Sequence, residues 1–392
     1  MEECVKMKRN RFITALVCGA ALFIACTASM SVVSAAGTMT PVSSPSAILV
    51  DASTGTVLYE QNAHEHRPVA SMVKIMTLSL AFDAVESGEL SLDEEITVSE
   101  NASSMGGSQA FLDAHATYKA EDLVKSAIVA SANDACVALA ERLAGSVDGF
   151  VNLMNKRAAE LGMQDTNFVN CTGLPAPNQY SCAHDASLMF RSLIAHKEYF
   201  DYSRIGTFDL VHPSGRTTML TNTNKLIRAY EGCDGGKTGF TNEAGFCLSA
   251  TAERNGTRLI SVITGAESSK LRNKEICSLF DYGFANYETK QVIFGGVELD
   301  AKLSVPKAKE KEAAVAPASD AFFLTEKGNK AELTSEAVYN EDLVLPLPAG
   351  SVVGKIVVRS NGETVAESDL VTTTELNEPG FADIIGEFIR NW

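Results

Sequence analysis

Residues 71 to 74 read Ser-Met-Val-Lys, which places a hydroxyl and an amine three positions apart in an otherwise apolar segment. Three residues along an α-helix bring two side chains onto one face, with Cβ atoms roughly 5–6 Å apart. We expect Ser71 at the start of a helix that runs to Gly88, where free backbone amides favour negative charge on its oxygen. Desolvation would disfavour the ammonium form of Lys74, and a neutral amine can take the serine proton. The pair therefore predicts a serine nucleophile with a lysine as its general base.

Two further short strings carry side chains suited to the same chemistry. Ser131-Ala132-Asn133 lies between two predicted helices, and Lys237-Thr238-Gly239 comes just before a predicted strand. Taken singly, each string has an ordinary explanation as loop caps, a surface lysine or a turn glycine. Together, and in this order along the chain, the three strings resemble the signature of penicillin-binding proteins and class A β-lactamases. We therefore interpret them as parts of one active site.

The second string would serve the proton transfers of an acyl-transfer reaction begun by Ser71. Ser131, in a short loop between helices, would relay the proton from the base to the leaving amine. Asn133 would orient both Lys74 and the substrate amide. Both residues are thus predicted to act beside the nucleophile.

The third string would bind the substrate. Lys237 would hold a substrate carboxylate with the help of the Thr238 hydroxyl, and Gly239 would let the substrate backbone approach the strand edge. An oxyanion hole needs two backbone amides aimed at the developing charge. The amides of Ser71 and Phe240 are the predicted pair.

Longer strings resemble the serine-type D-alanyl-D-alanine carboxypeptidases, which are the low-molecular-mass penicillin-binding proteins. The resemblance implies an enzyme without a cofactor that removes the terminal D-Ala of peptidoglycan pentapeptides through an acyl-enzyme on Ser71. It also implies that β-lactam antibiotics acylate the same serine, so that peptidoglycan stem peptides and penicillins are the expected partners. The strings, spread over roughly residues 45–265, are ILVDASTGTVLYEQNA, RPVASMVKIMT, SMGGSQAFL, ASANDACVALAE, NCTGL, TNKL and GCDGGKTGFTNEAGFCLSA.

Two other functions fit parts of the same pattern. A β-lactamase would share the motif order, but no Glu-x-x-Leu-Asn string lies between Ser131 and Lys237 to activate a deacylating water. A non-catalytic cell-wall binding protein could keep the fold, and it would fail to react covalently with a fluorescent penicillin. Since all the chemical residues are present, the carboxypeptidase remains the prediction.

The order of predicted elements favours an α+β fold for residues 40–288, with an antiparallel sheet flanked by helices, like that of penicillin-binding proteins and β-lactamases. Past residue 289, short alternating strands with Gly and Asn turns predict a small all-β, sandwich-like domain at 289–375. The charged and Ala/Pro-rich stretch 306–319 would interrupt it. The elements predicted in the first domain are hairpins within 48–59 and 245–264 and helices at 71–88, 120–145 (two helices), 184–196 and 271–288.

The chain ends in a predicted amphipathic helix at 376–392. Its last part, FADIIGEFIRNW, places apolar side chains at one helical face and ends in Trp392. Such a face could lie on a membrane surface through residues 381–392. Because Asp383 and Glu387 are acidic, anionic lipids would not strengthen this binding. The alternative is a tail that packs on protein.

The first 35 residues predict a secretory signal. Lys6, Lys8, Arg9 and Arg11 form a basic start, an apolar run follows, and Val33-Ser34-Ala35 is similar to a signal-peptidase site. A retained membrane anchor and a lipoprotein signal ending at Cys26 are the alternatives. The protein is thus predicted to be exported to the outer face of the cytoplasmic membrane or the cell wall, secreted or peripherally bound.

Charge and cysteine content exclude two other classes. The formal net charge of −16 argues against nucleic-acid binding, which needs a basic surface. Of nine cysteines, three lie in the predicted signal, and the rest sit mostly in apolar patterns typical of buried thiols. There is no Cys-x-x-Cys string, and His64-x-His66 has no further ligands at metal spacing, so no metal site is predicted.

Overall fold

The computed structural model describes residues 39, 41–300, 302–330 and 332–390. The predicted signal, 1–35, and the terminal Trp392 lie outside the described residues. The strands are β1 Ser46–Asp51, β2 Val57–Gln61, β3 Glu95–Thr97, β4 Thr117–Lys119, β5 Thr207–Val211, β6 Thr217–Thr221, β7 Cys233–Thr241, β8 Gly245–Arg254, β9 Thr257–Ala266, β10 Tyr287–Ile293, β11 Leu303–Ser304, β12 Glu312–Ala313, β13 Val315–Pro317, β14 Ala321–Glu326, β15 Leu333–Tyr339, β16 Val352–Ser360 and β17 Glu363–Thr372. The helices are α1 Lys74–Glu86, α2 Glu100–Ser103, α3 Ala120–Val129, α4 Asn133–Ala144, α5 Val147–Glu160, α6 Ala183–Leu193, α7 Tyr199–Ser203, α8 Leu226–Ala229, α9 Ser269–Asn286 and α10 Phe381–Arg390.

An antiparallel sheet in the order β2-β1-β9-β8-β7 forms the centre of the first domain. Because successive side chains in a strand point to opposite faces, β1 contributes to two separate cores. Ile48 and Val50 belong to the core that includes the helices α1, α3, α4 and α6, whereas Ala47 and Leu49 belong to the core beneath α9. The sheet is therefore covered by helices on both faces, as predicted.

The helix predicted to begin at Ser71 is interrupted at its start. Ser71 lies in a 3₁₀ turn, Ala70–Val73, and α1 begins only at Lys74. Ala70 has a φ of +47°, in the left-handed region, so the backbone cannot enter a regular helix at that point. The prediction of a helical start at Ser71 was therefore wrong by one turn, although the two side chains still face each other.

The region past residue 289 is built from strands, as predicted, and has its own core. Strands β13, β17, β16 and β15 form a four-stranded sheet, and β10 pairs with β14. The stretch 306–319 does not simply interrupt this region, because it contains β12 and β13. All three residues of β13 are buried, and a strand this short shows no alternating pattern in the sequence. The core consists of Leu303, Val305, Ala308, Ala313, Val315, Val353, Leu370 and Leu376.

The C-terminal helix α10 is shorter than the predicted 376–392 and begins at Phe381. Its large apolar side chains are between 43% and 80% exposed, namely Phe381, Ile384, Ile385, Phe388 and Ile389. None of the helices in the described part of the chain combines the length and apolarity needed to cross a bilayer. In the same described part the cysteines are free thiols, and all except the half-buried Cys277 are buried.

Candidate active site

Ser71 occupies a sharp turn against which two other segments pack. A Cβ atom at Gly173 would lie 2.0 Å from the carbonyl oxygen of Ala70, and one at Gly239 would lie 2.5 Å from that of Val69. Real Cβ atoms essentially never approach so closely, so glycine is required at both positions. Gly239 was predicted to make room for substrate, but the neighbour that it accommodates is the Ser71 turn itself.

The side chain of Lys74 is fully buried behind Ser71. Its Nζ lies 2.9 Å from Ser71 Oγ and also donates a hydrogen bond to the carbonyl of Thr172. Burial lowers the pKa of Lys74 to about 8, and the nearby Asp134 carboxylate opposes this shift. The predicted pairing of hydroxyl and amine is thus present, and its amine is one that can lose its proton near neutral pH.

The loop 170–174 positions the carbonyl that holds Lys74. Asn170 Oδ1 accepts hydrogen bonds from the backbone amides of Thr172 at 3.1 Å and Gly173 at 2.7 Å. This turn directs the Thr172 carbonyl at Lys74 and places Gly173 against the Ser71 turn. Thr172 acts through its backbone, so side-chain chemistry could not identify it, and the string NCTGL was the only signal.

A second serine and lysine pair lies on the other side of the site. Ser131 has a φ of +62° and is buried, and Lys237 Nζ donates to its Oγ at 2.8 Å and to the Thr238 carbonyl at 3.0 Å. Burial, and secondarily the nearby charge of Lys74, holds the pKa of Lys237 well below its usual value. The residues of the second and third strings are therefore in direct contact.

Asn133 and Asp134, at the start of α4, form hydrogen bonds to the loop of residues 106–112. Asn133 Nδ2 donates to the Gly106 carbonyl at 2.6 Å, while its buried Oδ1 has no hydrogen-bond partner within the described residues. Asp134 is buried and accepts from the backbone amides of Ala110 and Leu112. Asn133 was predicted to orient Lys74, but its hydrogen bond goes to this loop. Asp134 was missed because a buried carboxylate bound to backbone amides leaves no pattern in the sequence.

Strand β7 brings the remaining predicted residues to the Ser71 turn. Thr238 Oγ1 donates to Thr223 Oγ1 at 2.8 Å, and a Cβ at Gly239 would lie 3.3 Å from the Met72 amide nitrogen. The backbone of Phe240, the next residue, therefore runs beside the turn that carries Ser71. The Phe240 ring is 52% exposed and lies against Phe246, with ring centroids 4.4 Å apart.

Two family models match the chain in its two predicted parts. The model described as D-alanyl-D-alanine carboxypeptidase matches residues 32–268. The model described as penicillin-binding protein 5, C-terminal domain, matches residues 287–378. The matched regions contain the helix-flanked antiparallel sheet and the strand-rich region, so the predicted fold class is confirmed.

Individual relatives match between 62% and 88% of the chain. D-alanyl-D-alanine carboxypeptidase DacF of Bacillus subtilis is 35% identical over 350 residues, which are 88% of this chain and 89% of the relative. Penicillin-binding protein 5 of Haemophilus influenzae superposes with a TM-score of 0.71 at 31% identity, covering 87% of this chain and 100% of that one. Penicillin-binding protein D2 of Listeria monocytogenes, solved in an ampicillin-bound form, has a TM-score of 0.53 at 35% identity and covers 62% of this chain and 98% of that one.

These matches and the fold define a class, the penicillin-binding serine hydrolases. The chain belongs to the D-alanyl-D-alanine carboxypeptidase family. It is accordingly a serine-type carboxypeptidase that acts on D-alanyl-D-alanine ends. The β-lactamase and the non-catalytic binding protein that the sequence left as alternatives gain no support from these relatives.

Proposed function

We propose that Ser71 is the nucleophile of this carboxypeptidase and that Lys74 is its general base. The observation that carries the proposal is the buried amine of Lys74, 2.9 Å from Ser71 Oγ and with its pKa lowered to about 8. At neutral pH roughly a tenth of such an amine is already unprotonated and able to accept the serine proton. Ser71 Oγ then bonds to the carbonyl carbon of the D-Ala-D-Ala bond while its proton passes to Lys74 Nζ.

The oxyanion formed in this step would be stabilised by the backbone amides of Ser71 and Phe240. The close packing of Gly239 on the Ser71 turn supports this assignment, because it brings the two backbones to the same place. Amides held by a strand and a turn are fixed before reaction, so they stabilise the developing charge without reorganising.

Ser131 would deliver its proton to the leaving D-Ala amine as the C–N bond breaks, and the proton that Lys74 took from Ser71 would replace it. Its Oγ accepts a hydrogen bond from Lys237, which leaves its own proton free to be directed at the substrate. Water then hydrolyses the ester on Ser71 and releases the shortened peptide. Asn133 would hold the loop beside the site through its hydrogen bond to the Gly106 carbonyl, and its role in substrate binding stays a prediction.

Lys237 and Thr238 would bind the terminal carboxylate of the substrate. Lys237 is buried without a carboxylate partner within the described residues, and burial lowers its pKa. A substrate carboxylate beside it would stabilise its charged form. The Thr238 hydroxyl can turn from Thr223 to donate a second hydrogen bond.

Penicillins would acylate Ser71 by the same first step. The ampicillin-bound Listeria relative supports this use of the site by β-lactams. The resulting ester would occupy the serine, so that peptide turnover stops until the ester is hydrolysed.

The residue assignments are tested with Ser71→Ala. The purified wild-type enzyme is expected to release D-Ala from a Lys-D-Ala-D-Ala peptide and to react covalently with a fluorescent penicillin. The variant should do neither, and Ser131→Ala, which keeps the nucleophile, should react more slowly than wild type. Labelling of Ser71→Ala at the wild-type rate would place the nucleophile elsewhere.

We further propose that the protein is exported and touches the membrane through residues 381–392. The exposed apolar face of α10 supports the contact, and the basic and apolar start of the chain supports export. Because Asp383 lies in the first turn of α10, the contact would depend on apolar burial more than on anionic lipid.

A further inference from the structure

Two histidines and a cysteine from distant parts of the chain meet behind the Ser71 turn. His64 lies between β2 and the turn, Cys182 is the N-cap of α6, and His184 is in the first turn of that helix. One ring nitrogen of each histidine and the Cys182 sulfur lie within 4.8 Å of one another. The two imidazole rings stack with centroids 4.5 Å apart and planes 30° apart.

Each imidazole is oriented by a carboxylate, and the one beside His64 is shared with His66, whose Nε2 lies 2.9 Å from Asp165 Oδ1. His64 Nδ1 lies 3.0 Å from Asp165 Oδ2, and His184 Nδ1 lies 3.0 Å from Asp185 Oδ1. Histidines that bind metals usually donate their other ring N–H to a carboxylate, which fixes the tautomer and the ring direction. In the tautomer that donates Nδ1–H to the carboxylate, the lone pair of each ring is on Nε2.

The sulfur of Cys182 is the third possible ligand of this cluster. The residue is fully buried, and its Sγ accepts a hydrogen bond from the Asp185 amide at 3.3 Å. Asp165 and Asp185 also bring carboxylate oxygens within 4.8 Å of the same sulfur. Nitrogen, sulfur and carboxylate oxygen together form the donor set that zinc prefers, whereas Mg²⁺ and Ca²⁺ prefer oxygen alone.

We propose that His64, His184 and Cys182 bind a single transition-metal ion of the zinc type, with Asp165 or water as the fourth ligand. On binding, a metal–sulfur bond forms and the thiol proton passes to solvent. Nothing in this step changes the oxidation state of either partner. The site does not depend on the roles proposed for Ser71 and Lys74.

The ion would join segments that position the active site. His64 precedes the Ser71 turn, and Asp165 precedes the loop whose Thr172 carbonyl holds Lys74. The His64 segment already meets the residues just before α6 through the paired backbone hydrogen bonds of Arg67 and Ser181, at 2.8 and 3.1 Å. A bound metal would therefore cross-link these segments behind the nucleophile. Its main effect should be to raise the melting temperature of the protein.

The test is a titration of untagged, metal-free protein with Co²⁺, a spectroscopic substitute for Zn²⁺. We expect a thiolate-to-cobalt charge-transfer band that saturates at one equivalent and disappears when Zn²⁺ is added. Zn²⁺, but not Mg²⁺ or Ca²⁺, should raise the melting temperature, because a ligand that binds the folded state alone stabilises it.

Single substitutions distinguish a built site from an adventitious one. Cys182→Ser should abolish the band, and His64→Ala, at a side chain 60% exposed and therefore compatible with folding, should weaken Zn²⁺ binding at least tenfold. His115→Ala is the matched control, since that histidine is also exposed and bonded to a carboxylate, Glu100. Binding of several equivalents without saturation would mean an adventitious ion only and would overturn the proposal. An unchanged affinity in His64→Ala would do the same, even if Cys182→Ser failed to fold.

Discussion

As the proposed general base, the buried amine of Lys74 would set the pH at which the enzyme can acylate. Its free-enzyme pKa of about 8 predicts that acylation by penicillin is slow at pH 6, reaches half its maximum near pH 8 as the amine loses its proton, and levels off about one pH unit above that. The measurement is the second-order rate constant of penicillin labelling between pH 6 and 10. Lys74→Arg, which stays protonated throughout this range, should be slow at every pH. A flat wild-type profile would show that Lys74 is not the base.

At the residue scale, the side chains that react are easier to predict than the groups that hold them. The Ser71–Lys74 pairing follows from helical spacing, and Lys237 from its place in a recognisable string. The Thr172 carbonyl and the Asp134 carboxylate contribute equally specific contacts. One acts through its backbone and the other on a loop distant in sequence, so the chemistry of their side chains does not identify them.

The turn that carries Ser71 depends on the glycine of the neighbouring loop. Gly173→Ala would combine a left-handed φ of +79° with a Cβ only 2.0 Å from the Ala70 carbonyl oxygen. We expect a loss of about 2–4 kcal/mol in the free energy of unfolding and slower penicillin labelling. Gly162→Ala is the control, because its φ is +74° and nothing lies within 4 Å. That variant should lose about 1–2 kcal/mol and label normally. Equal effects of the two changes would contradict the packing argument.

At the element scale, regular segments with a clear apolar period were predicted well. The hairpin of β8 and β9 and the helices α3 and α4 lie where Asn-Gly turns and amphipathic spacing place them. The 3₁₀ turn at Ala70–Val73 was not predicted, because the left-handed backbone of Ala70 is imposed by segments that pack around it. β13 was missed because its three residues are too few to show a period.

At the scale of the whole molecule, the two ends of the chain predict export and membrane binding. We expect the exported protein to begin after residue 35 and to sediment with phosphatidylcholine vesicles. A chain ending at Gly380, and the variant Phe388→Ser, should stay in the supernatant while still releasing D-Ala at the wild-type rate. N-terminal sequencing identifies the first residue of the exported protein, and vesicle sedimentation measures its binding to the membrane. Sedimentation of the truncated chain would assign the contact to another surface.

The burial of Lys237 has a consequence for the thermodynamics of substrate binding. Its pKa is low in the free enzyme, and a carboxylate placed beside it would raise that pKa. Binding of a peptide end should therefore draw a fraction of a proton from solvent, and its affinity should fall as the pH rises. Calorimetry of Ser71→Ala with Lys-D-Ala-D-Ala, in buffers of different ionisation enthalpy, would measure the uptake, and a heat independent of the buffer would contradict it. An internal peptide bond carries no carboxylate, so its binding would not raise the pKa of Lys237. Uptake of a proton on binding would therefore distinguish the end of a peptide chain from an internal bond.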